Sequence, residues 1–219
     1  MPILTCDHSR RRWMHRLLAA GIVGTALGGG RQVALAMAPA ASSVHRRKGM
    51  VLVNGMPAET GTPVAAGDTV STGPDGEAVF NLGDDGFLLR PDSQVTIFDH
   101  DRMRELTLER GGVLGVFGAK TITLTTPLAS IGIRGTAAYL ESHPGSTNVC
   151  VCYGHAVMTP KGASARSEEV RNRHHETPRV IRSGPHGPVM EELRRSDHSD
   201  EELIMLEALF GRLPPFVPR

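Results

Sequence analysis

Between residues 51 and 159 the chain alternates short apolar runs with breaks rich in Gly, Pro, Asn and Asp. Runs at 51–53, 69–70, 78–82, 87–89, 95–98 and 106–108 stop at Asn54-Gly55, Gly73-Pro74, Gly83-Asp84-Asp85-Gly86, Pro91-Asp92, Asp99 and Gly111-Gly112. Runs at 113–117, 121–125, 129–133, 137–141, 149–153 and 156–159 stop at Gly118, Pro127, Arg134-Gly135, Pro144-Gly145, Gly154 and Pro160. Segments this short, at roughly 8–12-residue spacing with turn signals between them, predict about a dozen strands of an all-β sandwich, barrel or solenoid. Leu106-Thr107-Leu108, Ile122-Thr123-Leu124 and Val149-Cys150-Val151 alternate residue type, which puts one type on each face of a strand. Asn54-Gly55 and Asp75-Gly76 are hairpin-turn dipeptides, since both positions of that turn need positive φ.

Beyond residue 160 the pattern changes. Residues 161–200 are polar, are broken by Gly184-Pro185 and Gly187-Pro188, and read as a loop-rich segment. Ser199 and Glu202 then stand at the spacing of a capping box. Leu203, Leu206, Leu209 and Phe210 follow at helical spacing, and Gly211 with Pro214-Pro215 stops the run. A short C-terminal helix packed on the β domain is expected, because such a helix gains its stability from burying its apolar stripe.

Ahead of the strands, Ser9-Arg10-Arg11-Arg12-Trp13-Met14-His15 sets adjacent arginines before a bulky apolar pair. A Gly- and Ala-rich apolar stretch follows over residues 17–28. It is short of the ~20 residues a membrane-spanning helix needs. Small residues then offer cleavage after Ala36 or Ala40. This order resembles a twin-arginine export leader. The resemblance implies a periplasmic protein that crosses the membrane already folded and has no transmembrane span once mature. The expected organisation is a signal peptide over 1–40, a β domain over 41–160, and a polar segment with the helix over 161–219.

Charge sharpens this reading. Residues 1–48 carry eight Lys/Arg against one acid, residues 49–165 seven against twelve, and residues 166–219 nine against ten. Without its leader the chain is mildly acidic and lacks the dense basic face that binding DNA or RNA requires. Aromatics are only 4% and glycines number 25, which suits many tight turns better than a helical core. Glycine-rich phosphate loops, a nucleophile elbow and an HExxH motif are all missing from the sequence, so an enzyme is not expected. Asp68, Asp84, Asp85 and Asp92 do not have the spacing of an EF-hand and read as turn residues.

Six short motifs in order over roughly 110 residues resemble the FecR domain, named for regulators of iron–citrate uptake. Gly67-Asp68-Thr69-Val70-Ser71-Thr72-Gly73 is similar to that family's GD-x-(V/I)-x-T turn. Asp75-Gly76 with residues 83–89 is similar to its DG hairpin, and residues 91–95 to its P-x-S-x-V segment. LTLERGG over residues 106–112, then Thr126-Pro127, then Ile133-Arg134-Gly135-Thr136 complete the set. Gly67, Asp68, Thr72, Arg134, Gly135 and Thr136 are thus fold-signature residues. Arg134 is expected to bind backbone carbonyls or a turn carboxylate and lock adjacent strands, or alternatively to bind an anion. The resemblance implies a short-strand solenoid or sandwich-like β domain with a binding or sensing role. Signalling members join a cytoplasmic anti-sigma segment, one membrane span and a periplasmic domain. Only nine residues precede the arginines here, so that relay is not expected to transfer.

The remaining chemistry lies in Cys150 and Cys152 on one predicted strand, with His174, His175 and His198 farther on. Residues i and i+2 of a strand face the same side, about 6–7 Å apart with parallel side-chain vectors, which is awkward for a disulfide. Two same-side thiols with two histidines form a zinc-type ligand set, although the spacing matches no finger template. Two readings stay open. Cys150, Cys152, His175 and either His174 or His198 hold zinc or iron, or the cysteines are merely buried and the histidines exposed. The favoured function is an exported, monomeric binding or sensing module whose partner is an envelope protein, a glycan or a metal. The alternative is a metal- or thiol-dependent periplasmic enzyme using the same side chains.

Overall fold

The computed structural model describes residues 41–100, 103–162, 166–194 and 196–218. The leader, with both proposed cleavage sites, lies outside them. Fourteen strands and one helix are formed among the described residues: β1 Val44–Lys48, β2 Val51–Val53, β3 Met56–Pro57, β4 Thr69–Thr72, β5 Glu77–Leu82, β6 Asp85–Leu89, β7 Gln94–His100, β8 Met103–Val116, β9 Thr121–Thr125, β10 Ala129–His143, β11 Ser146–Pro160, β12 Glu168–Asn172, β13 Arg179–Arg182, β14 Val189–Glu192 and α1 Asp200–Ala208. The chain is therefore mostly β, with one short helix. All ladders are antiparallel except β8–β9, so the parallel coils of a regular solenoid are not seen among the described residues.

Turn chemistry explains several connections. Asn54 and Gly55 both adopt positive φ, 52° and 76°, and close the β2–β3 hairpin. Pro144-Gly145 closes β10 onto β11, with Gly145 at φ 77°. Asp75-Gly76 behaves differently from the expected hairpin. Its turn carries the chain from β4 to β5, and those strands pair with other partners, β2 and β7 for the first, β1 and β6 for the second.

Three glycine breaks that read as strand ends lie inside long strands instead. Gly111 sits within β8 at φ 77°, Gly135 within β10 at φ 57°, and Gly154 within β11 at φ 96°. A glycine in the left-handed region lets a strand bend without losing its ladder. Before Gly111, β8 pairs with β7 and β9; after it, with β6 and β10. The bent strands thus belong to two parts of one sheet that fold over a shared core. Leu106, Leu108, Ile122, Leu124, Ile131, Leu140, Val149 and Val151 fill that core.

The polar segment 161–200 is also more ordered than its composition suggested. It contributes β12, β13 and β14. Val170, Val180 and Ile181 supply the buried hydrophobic residues, and flanking charged side chains mask so thin an alternation.

The sheet is buried on both faces where β5, β6, β8, β10 and β11 meet. Phe87 and Leu89 point into the shared core, and Leu88 points outward. The same alternation sends Leu140 inward and Tyr139 outward, and Val149 and Val151 inward with Cys150 and Cys152 outward. Helix α1 covers this outer face. Ser199 and Glu202 form the expected capping box, and Leu203 and Leu206 are fully buried. Burying each is worth about 1.5–3 kcal/mol. Leu209 caps the helix, and it and Phe210 are only partly buried.

Candidate metal centre

Pairing around β11 creates the site. One edge of β11 is taken by β10 over its whole length. The other edge pairs with β13 over Ser146 to Val149 and with β12 over Gly154 to Met158. Residues 150–153 are left between these two ladders, and the loop from β12 to β13 lies beside them. Asn172 Nδ2 donates to the Val151 carbonyl at 2.7 Å, and the Thr177 hydroxyl donates to Asn172 Oδ1 at 2.7 Å. His175, at φ 54°, donates its backbone N–H to the Cys152 carbonyl at 2.9 Å. Its ring is thereby set over the two cysteines.

His198 arrives from the other direction, one residue before the N-cap of α1. Arg90 fixes that approach. Its guanidinium donates to the Asp197 carbonyl at 2.8 Å and to both oxygens of Glu202 at 2.6 and 2.8 Å. The His198 ring stacks on Tyr139, with centroids 5.1 Å apart and planes at 24°. Tyr139 is directly opposite Cys150 in the β10–β11 ladder.

Four side chains converge. Cys150 Sγ is 3.6 Å from His175 Nδ1, Cys152 Sγ is 3.2 Å from His198 Nε2, and the two imidazole nitrogens are 2.9 Å apart. All four ligand atoms lie within 4.8 Å of one another. A tetrahedral ion with Zn–S near 2.3 Å and Zn–N near 2.0–2.1 Å holds its ligand atoms roughly 3.3–3.8 Å apart. The set therefore has the size of one four-coordinate ion. It does not suit a two-iron cluster with cysteines on one iron and histidines on the other, which would keep the pairs apart.

The far ring nitrogens are also engaged. His175 Nε2 is 3.1 Å from Asp200 Oδ1, and His198 Nδ1 is 3.0 Å from Ser196 Oγ. Such partners fix the ring orientation and tautomer of metal-binding histidines. His174 does not join the cluster. It is exposed, and its Nε2 meets the Asp200 carboxylate at 2.8 and 2.9 Å. Of the two alternatives for the fourth ligand, His198 is the one brought to the cysteines. Asp200, Ser196, Tyr139 and Arg90 had no sequence signal of their own. An acid in the first turn of a helix is ordinary, and nothing along the chain ties it to a histidine 25 residues earlier.

The electrostatics favour ionised sulfur at Cys150 and a neutral thiol at Cys152. Cys150 is lowered to about 3 by a hydrogen bond from Cys152, with His175 and His198 adding to this against the effect of burial. Burial, then the neighbouring Cys150, pushes Cys152 well up. Contact with Cys150 raises His175, and Asp200 contributes further. A metal ion held here would displace the thiol protons, because the thiolate is the ligand form.

The fold-signature residues sit away from this cluster. Asp68 accepts from Ala65 N–H and Asn54 Nδ2, both at 2.7 Å, next to Gly67 at φ 94°. The Thr72 hydroxyl donates to the Arg90 carbonyl at 2.6 Å and accepts from Ser93 N–H at 3.0 Å. Arg134 departs from its expected locking role. It is exposed and makes no side-chain hydrogen bond or ion pair with the described residues, because it alternates with the inward-facing Ile131 and Ile133. Gly135 is exposed at the bulge between Arg134 and Ala137, where Thr136 also lies in β10.

The FecR protein family model matches residues 68–157. Cys150 and Cys152 fall inside the FecR match, whereas His175, His198 and Asp200 lie beyond it. No curated protein matches the chain. Among solved structures, a candidate anti-sigma factor from Parabacteroides distasonis aligns at 11% identity and a TM-score of 0.47, over 57% of this chain and 59% of that one. A second crystal structure with the same description aligns at 12% identity and 0.46, over the same shares. No helix among the described residues is long and apolar enough to cross a membrane.

Proposed function

We propose that this chain is an exported, non-enzymatic binding or sensing module whose ligand is a thiophilic divalent metal ion, zinc in the first instance. The convergence of Cys150, Cys152, His175 and His198 from three separate stretches of chain carries the reading. Both cysteines are fully buried, and each histidine is oriented from behind, by Asp200 or Ser196. Four protein ligands and no open position are the features of a closed, structural type of site.

The resemblance of residues 9–28 to a twin-arginine leader supports a periplasmic location for the module. Two free thiols in an oxidising compartment survive best when buried or bound to metal. Export in the folded state agrees with a site assembled before translocation. In the FecR setting the module answers to a metal or an envelope partner, acting as a monomer.

A thiol-enzyme reading has one observation in its favour. Cys150, His175 and Asp200 form a line of nucleophile, base and orienting acid. Cys150 is 0% exposed, however, so a substrate has no approach to its sulfur.

The test is elemental analysis of protein recovered from the periplasm, as wild type and as Cys150→Ser. Near-stoichiometric zinc in the first and its loss in the second support the reading. A metal-free wild type that keeps both thiols removes it.

A further inference from the structure

Resting on that metal reading, we infer that occupancy of the cluster controls whether α1 stays docked on the sheet. The ligands are divided between two bodies. Cys150 and Cys152 belong to β11, and His175 is bonded through its backbone to the same strand. His198 belongs instead to the approach to α1 and directly precedes the N-cap Ser199. An ion shared by these groups ties the start of α1 to the sheet.

The other ties of α1 lie mostly at its two ends: Arg90 holds Asp197 and Glu202, His174 and His175 meet Asp200, Leu203 and Leu206 are buried, and Tyr153 donates to Glu207 at 2.5 Å. Nine residues of helix are too short to persist in water without such support. Beneath them lie Val79, Leu88, Leu114, Val116 and Tyr139, all buried on the outer face. Loss of the ion leaves His198 with only its stack on Tyr139 and its weaker contacts to Cys152, His175 and Ser196. The helix then undocks locally while the shared core, on the opposite face of the same strands, stays folded. The device converts metal occupancy into exposure of an apolar patch at the edge of the FecR-matched region.

Hydrogen exchange on the intact chain decides this. Zinc-loaded and EDTA-treated protein are compared, with amides of Leu106, Leu124 and Leu140 as an internal reference. We expect exchange across residues 203–211 to be at least about tenfold faster after EDTA, with the reference amides unchanged. His198→Ala, which keeps three ligands, gives the same local rise at a zinc concentration high enough to fill its weakened site. Equal protection of residues 203–211 with and without zinc overturns the inference and leaves metal binding standing. So does a rise that is the same in the reference amides. Failure of zinc to bind at all overturns both.

Discussion

Asp200 and His175 meet at 3.1 Å, carboxylate oxygen to Nε2, while the other nitrogen of the same ring faces Cys150. The first residue of α1 therefore orients a ligand that is held on the sheet. Asp200→Asn keeps the shape and removes the charge. The expected result is a metal affinity 10–100-fold weaker, the usual cost of losing such a partner. Competition with a chromophoric chelator measures it, and unchanged affinity would count against Asp200 as the orienting group.

The two candidate histidines separate cleanly. His198→Ala removes a ligand and is expected to lower affinity strongly. His174→Ala loses contacts to Asp200 and to the Phe216 and His175 rings but no ligand, and is expected to leave stoichiometry at one ion per chain. Titration of both variants with zinc checks the assignment. A stronger effect from His174 would reverse it.

Zinc should raise thermal stability in proportion to its binding. Ligand at a hundred times its dissociation constant stabilises the native state by about 2.7 kcal/mol. In Cys152→Ser the melting temperature should no longer respond to zinc. A response of equal size in wild type and variant would point to binding elsewhere.

Gly111 stands where β8 changes partners. A Cβ there would lie 2.1 Å from Ser93 Oγ and 2.6 Å from Ser93 Cα, and the backbone φ is +77°. Gly111→Ala is therefore expected to destabilise by more than ~1 kcal/mol, since both strain and overlap act in the same direction. Gly132→Ala is the matched control, because nothing lies within 4 Å of that position and its φ is not positive. Urea denaturation of the two variants makes the comparison.

Acid sensitivity has a source in the Asp99 carboxyl, away from the cysteine–histidine cluster. Burial pushes it up, but hydrogen bonds from Arg104 and Lys120 outweigh this and hold it below its ordinary value of 3.8. A carboxyl lowered on folding stabilises the native state above its unfolded value, and that contribution is lost as pH falls through the folded value. Stability of wild type should thus fall below about pH 4. Asp99→Asn should be less stable than wild type at neutral pH and should lose part of that acid dependence. Parallel pH profiles for the two proteins would contradict this.

The all-β character, the Asn54-Gly55 and Pro144-Gly145 turns, and the capped helix after Ser199 were legible in the sequence. Each depends on residues within a few positions of one another, where spacing and φ preference decide the outcome. The cysteines and histidines were legible as ligand types for the same reason. Strand length was not, because Gly111, Gly135 and Gly154 carry the signal of a turn whether a strand ends or bends there. Whether it bends depends on partner strands waiting on both sides. β12 to β14 were hidden because a strand lying on an existing edge needs few buried residues of its own.

By itself the sequence determined which residues alternate, where turns are cheap and which side chains can bind metal, since these are properties of neighbouring atoms along the chain. Tertiary structure alone decided that Cys150 and Cys152 face outward beneath α1, that His198 rather than His174 reaches them, and that Asp200 stands behind His175. Those choices follow from the register of β11 against β10, β12 and β13. A shift of one residue would send the sulfurs into the opposite core and leave no site.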